Sequence, residues 1–98
     1  MYRIGTGGLF VNVKISKKAE KQLLKIPRYI VDNFYFWKVS VETFGLNETR
    51  KVKGWNDHPL KGDRKGQRSI YLNASYRAIY VEETCEIVDV IEVHNHKY

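Results

Sequence analysis

Between Ser16 and Gly45 the apolar side chains recur at helical spacing, and on both sides of that segment they alternate. A period of 3.6 buries one face of a helix and a period of 2 buries one face of a strand, so the change of period sets the order of elements. Phe10 to Ile15 alternates, is rich in β-branched residues and is expected to form a strand. Ser16 suits an N-cap and Glu20 sits near the first turn, so Lys17 to Ile26 is expected to form a short helix burying Ala19, Leu23 and Ile26. Pro27 ends that helix and suits the start of the next. Arg28 to Phe44 puts Ile30, Phe34, Val41 and Phe44 on one face, flanked by Val31 and by Trp37 or Lys38, and Gly45 is the natural stop.

Leu46 to Lys65 reads as irregular, with Gly54, Pro59 and Gly62 in it and room for a helical turn near Glu48 to Val52. Three strand-like runs follow: Arg68 to Leu72, Tyr76 to Val81, and Glu86 to Val93 or beyond. The polar links between them are those of hairpins, so the runs are expected to form an antiparallel meander. The fold class is α+β in the order β-α-α-β-β-β, a helical hairpin packed on a mainly antiparallel sheet. The 98 residues suit one domain, with the glycine-bearing Met1 to Gly8 segment as a flexible lead-in.

Seventeen Lys and Arg against eleven Asp and Glu leave a net charge of +6, and the pI is about 9.5. Such a surface attracts polyanions: nucleic acid, an anionic membrane surface or an acidic protein. A single cysteine, Cys85, excludes an internal disulfide and fits a reducing compartment. No apolar run approaches a membrane span, and the first residues lack the apolar stretch of a signal peptide, so a cytoplasmic location is expected.

Side-chain alternation puts Arg68, Ile70 and Leu72 on one face of their strand, and Arg77, Ile79 and Val81 on one face of theirs. His94, His96 and Tyr98 share a side if the chain stays extended to its end. In a meander the start of the second of these strands lies opposite the end of the third, so Arg77 and His96 are expected to converge. Histidine transfers protons near neutral pH, arginine matches phosphate oxygens, and tyrosine and tryptophan stack on unpaired bases. That set suits RNA cleavage without a metal, in which the 2′-hydroxyl attacks the adjacent phosphate. Blander readings stand beside it. Arg68 and Arg77 can pair with Glu82, Glu86 or Glu92; His94 and His96 can ligate a metal or belong to a polar tail; Tyr71, Tyr76 and Tyr80 can simply pack; His58 can cap a loop; and Lys17, Lys18, Lys21 and Lys25 can form a solvated face.

The stretches His58-Pro59-Leu60-Lys61-Gly62, Gly66 to Asn73 and Tyr76-Arg77-Ala78-Ile79-Tyr80 together resemble the RelE/ParE superfamily of bacterial toxins, closest to its HigB and RelE branches. The resemblance covers nearly the whole chain from Phe10 onward and implies the same β-α-α-β-β-β fold. It implies a type II toxin that enters the ribosome and cuts mRNA with no metal or small-molecule cofactor, paired with an acidic antitoxin protein. By position, Arg77 and Arg68 would stabilise the phosphorane, His94 and His96 would move protons, and Tyr98 would position the substrate. His58, Lys61, Lys65, Lys17 and Lys21 would bind RNA. HigB-like chains usually end in Asp-Tyr-His, whereas this one ends His94-Asn95-His96-Lys97-Tyr98, which leaves open which histidine is base and which acid. The alternatives are a gyrase poison of the ParE kind, and a non-enzymatic basic module bound to an acidic partner.

Overall fold

The computed structural model describes residues 11–95; Phe10, the Met1 to Gly8 lead-in, His96 and Tyr98 lie outside them. The first alternating stretch forms β1 (Asn12–Ile15). Ser16 then caps α1 (Lys17–Leu23), its Oγ accepting from the Ala19 amide at 3.0 Å. This helix ends before Ile26, which packs against the core from the following turn. Helix α2 (Arg28–Phe44) starts directly after Pro27 and stops at Gly45, whose φ of 88° favours glycine. Ile30, Phe34, Trp37 and Val41 are buried along it in steps of four, three and four. Phe44 was expected on that face but is 69% exposed; the core position at this end goes to Leu46, the first residue of α3 (Leu46–Arg50).

The remaining strands are β2 (His58–Pro59), β3 (Arg68–Tyr71), β4 (Tyr76–Thr84) and β5 (Ile87–Asn95), in the spatial order β1-β5-β4-β3-β2. β1 runs parallel to β5, and the other neighbours are antiparallel. The fold is therefore α+β with a mainly antiparallel sheet, as expected. The stretch expected to be irregular holds more order than its pattern suggests. It contains α3, 3₁₀ turns at Lys53–Trp55 and Gly62–Arg64, and the two-residue edge strand β2. Ile70, Leu72, Ala78, Tyr80, Val90 and Val93 join the helix residues in one core. The Trp37 ring lies 5.3 Å from that of Tyr80 and marks the helix side of the sheet. Burying each such large side chain contributes about 1.5–3 kcal/mol.

β5 is longer than its partner β1, so its edge beyond Val90 would expose backbone groups. Helix α1 covers them. Gln22 Oε1 accepts from the Val93 amide at 2.7 Å, and Ser16 Oγ donates to the Ile91 carbonyl at 3.0 Å. Ile91 is the extra residue of a bulge, since Ile79 pairs with Glu92 while Tyr80 pairs with Val90. Ser16 thus caps the helix and holds the bulge with one hydroxyl. Ser16→Ala is expected to cost about 1 kcal/mol and lower the melting temperature by about 4–8 °C, with Ser16→Thr restoring most of it. An unchanged melting temperature in Ser16→Ala would contradict this.

Candidate active site

Residues directly opposite each other in a sheet share a face. Tyr71 pairs with Arg77, and Arg77 pairs with His94. His58 pairs with Ser69, the next residue of β3 on the Tyr71 face, and its ring stands edge-on to Tyr71 at 6.4 Å. His58, Tyr71, Arg77 and His94 therefore form one row across β2, β3, β4 and β5, on the face away from Trp37. Arg77 is its centre. Its guanidinium carbon lies 3.5 Å over the Tyr71 ring, and one Nη donates to the carbonyls of Asn73, Ala74 and Tyr76 at 2.9, 3.1 and 3.3 Å. The residue is 4% exposed, and no carboxylate pairs with it among the described residues. Carbonyls and a ring face accept hydrogen bonds and polarise, but they do not cancel the positive charge.

Arg68 requires a correction. Its pairing with Tyr80 puts it on the helix side, so the structure does not bring it together with Arg77. There its Nε donates to Asp57 Oδ1 at 2.6 Å, and the Tyr80 hydroxyl donates to Asp57 Oδ2 at 2.6 Å. The Asp57 side chain is 1% exposed, with Arg50 3.9 Å away; Arg50 also donates to the Tyr80 hydroxyl and to Glu82. Burial, and then the Asp57 carboxylate, push the Tyr80 hydroxyl far above the usual tyrosine range against the pull of Arg50. Tyr80 therefore stays a donor. The ion-pair reading of Arg68 had the right kind of partner but the wrong residue, because Asp57 lies in a stretch with no strand pattern.

On the site face, β5 continues the row with Glu92. Its carboxylate accepts from Arg64 at 2.9 Å, and it lies 3.6 Å from Lys18 Nζ and 3.0 Å from His94 Nε2. His94 Nδ1 donates to the Asn95 carbonyl. Arg64 thus ties the 3₁₀ turn after β2 to the histidine end of the row. Lys61 and Lys65 flank that turn and are exposed; Lys17 and Lys21 are exposed on α1. Among the described residues no group of three or more His, Cys, Asp or Glu is arranged to hold a metal ion, and no helix is long and apolar enough to cross a membrane. His96 and Tyr98 fall outside the described residues. The pattern reading missed Tyr71 by treating the tyrosines as packing. The Asn73 to Ser75 turn, which sets Tyr71 against Arg77, was the available signal.

Burial opposes the Glu92 charge, but the Arg64 hydrogen bond and the charges of Arg64, Lys18 and His94 outweigh it and hold the carboxyl below the usual carboxylate range. A depressed folded-state value adds stability that is fully present above the unfolded value and is lost as pH falls through the carboxylate range toward the folded one. Glu92→Gln is therefore expected to be less stable at neutral pH and to lose less stability on acidification. Parallel acid limbs for the two proteins, in denaturant titrations at stepped pH, would contradict the network.

No protein-family model matches the chain, and a search of curated proteins finds no match. Solved structures do match. YafQ from E. coli is 16% identical, with a TM-score of 0.69 over 88% of this chain and 93% of that one. The archaeal RelE–RelB complex from Pyrococcus horikoshii holds a chain 21% identical, with a TM-score of 0.67 over 88% and 94%. The toxin–antitoxin complex RelBE2 from Mycobacterium tuberculosis holds one 19% identical, with a TM-score of 0.61 over 89% and 99%. The sheet order and the helices on one face thus belong to a chain with the fold of the YafQ and RelE structures.

Proposed function

We propose that this protein is the toxin of a type II toxin–antitoxin pair and an endoribonuclease that cuts mRNA on the ribosome without a metal. The observation that carries this reading is the row His58–Tyr71–Arg77–His94, with a charge at its centre that no carboxylate among the described residues neutralises. A scissile phosphate set against Arg77 gains stabilisation as charge builds on the phosphorane. Histidines stand on both sides of Arg77 along the row, at β2 and at β5, as a reaction needing one base and one acid requires. One takes the 2′ proton and another gives a proton to the leaving 5′-oxygen. His96 and Tyr98, which follow His94 in sequence, are proposed to complete that end, and Tyr71 to support Arg77 from below. Lys61, Lys65, Lys17 and Lys21 hold phosphates of mRNA or rRNA. Arg68 is left out of the chemistry, because Asp57 neutralises it on the other face.

The partner follows from the same surface. Tyr29, Tyr35, Phe36, Val39 and Phe44 are exposed on α2, and the chain carries +6. An acidic, partly apolar antitoxin segment that folds on binding suits both features. RelBE2 and DinJ–YafQ are toxin–antitoxin complexes that each hold a chain of this fold, which supports the reading. A location in the cytoplasm, where translating ribosomes are, goes with it.

Induced expression of the chain is expected to arrest growth, and primer extension to find breaks in transcripts that are translated but not in untranslated copies. Arg77→Ala should lower cleavage about 10²–10³-fold. Arg77→Lys should restore little of it, since it keeps the charge but loses the fork. Thermal melts of each variant separate lost chemistry from lost folding. Growth arrest with intact mRNA and gyrase-dependent DNA breaks would overturn the proposal.

A further inference from the structure

The buried carboxylate of Asp57 is adjacent in sequence to His58, and the two side chains go to opposite faces. Asp57 points to the helix side, into Arg68 and Tyr80, while His58 lies against Tyr71 on the site side. β2 is only two residues long and sits at the sheet edge, so ladder hydrogen bonds alone hold it weakly. Asp57 supplies the missing anchor. Two short charge-assisted hydrogen bonds fix its carboxylate to β3 and β4, and Arg50 extends the fixation to α3.

That anchor also sets the backbone just before it. Asn56 is left-handed, with φ 45° and ψ 49°, a conformation asparagine tolerates better than most residues but one that still needs surrounding structure to hold it. Its carbonyl lies 2.7 Å from His58 Nδ1. A carbonyl can only accept, so Nδ1 carries the proton, and in the neutral ring Nε2 carries the lone pair. Anchor, turn and tautomer form one chain of cause.

We propose that Asp57 is a positioning residue that holds His58 as the Nδ1–H tautomer, with Nε2 ready to accept the 2′ proton of an RNA substrate. The substrate part rests on the ribonuclease reading above; the positioning part does not. Arg68 and Tyr80 belong to the same device, each as a donor that orients Asp57. This gives Arg68 a role in the reaction without contact to the phosphate.

The test has two readouts. Nitrogen-15 chemical shifts of the His58 ring, in the purified protein at a pH where the ring is neutral, report the tautomer with no RNA present. The wild type should show Nδ1–H, and Asp57→Asn should show a mixture of tautomers or the Nε2–H form. Tyr80→Phe removes one donor to Asp57 and keeps the ring beside Trp37, so it supplies the same comparison if Asp57→Asn does not fold. Single-turnover cleavage on programmed ribosomes then gives a double-mutant cycle. Asp57→Asn should slow cleavage about 10–100-fold, as other residues that orient a histidine from behind do. In a His58→Gln background the same change should cost less than about twofold, because the residue it acts through is gone. Unchanged ring shifts in both variants, or an equal loss with and without His58, would overturn the proposal. Absent cleavage in the wild type would overturn the ribonuclease reading and leave the ring shifts to decide the positioning.

Discussion

A single sheet covered by helices on one side offers two unlike faces, and each side chain is assigned to one of them by parity. Most of this molecule's chemistry follows from that constraint. Arg68 and Arg77 sit on neighbouring strands and look alike in sequence. One falls beside Tyr80 on the helix side, where the Asp57 carboxylate, cut off from water, must be paired, and Arg68 pairs it. The other falls opposite Tyr71 on the site side, where three carbonyls and an aromatic ring hold it and its charge remains. Register thus decides which arginine meets the Asp57 carboxylate and which lies over the Tyr71 ring.

The same parity builds the two devices that frame Arg77. At β2, Asp57 and His58 are consecutive, so one can be anchored on the helix side while the other reaches the site. At β5, Glu92 and His94 are two apart and share a face, and Glu92 gathers Arg64, Lys18 and His94 around one carboxylate. Loop, helix and strand are linked there through charge. The bulge at Ile91 lies just before this group, and Ser16 holds it in place.

Much of the fold was legible because period and punctuation agreed. Ser16, Pro27 and Gly45 mark helix ends where the structure has them, and the three later runs pair as a meander. Phe44 misled because spacing alone cannot show that Leu46 fills the core at that end. The parallel pairing of β1 with β5 is non-local, and nothing in either strand's pattern announces it. Asp57 and β2 were hidden for a related reason: a two-residue strand has no period to read. In the site, the hairpin register pointed to His96 as the histidine near Arg77; His96 lies outside the described residues, and the residue opposite Arg77 is His94. The fate of Arg68 was not readable, because it depends on which face of the sheet the helices cover.

The central claim is that Arg77 and the flanking histidines promote attack by the RNA's own 2′-hydroxyl. The chemical ends of the products test it most directly. Mass spectrometry of an mRNA fragment cut on purified, programmed ribosomes should find a 2′,3′-cyclic phosphate, or the 3′-phosphate formed when it opens, on the upstream piece and a 5′-hydroxyl on the downstream piece. A 3′-hydroxyl with a 5′-phosphate would mean that water or another nucleophile attacks, and would contradict the account.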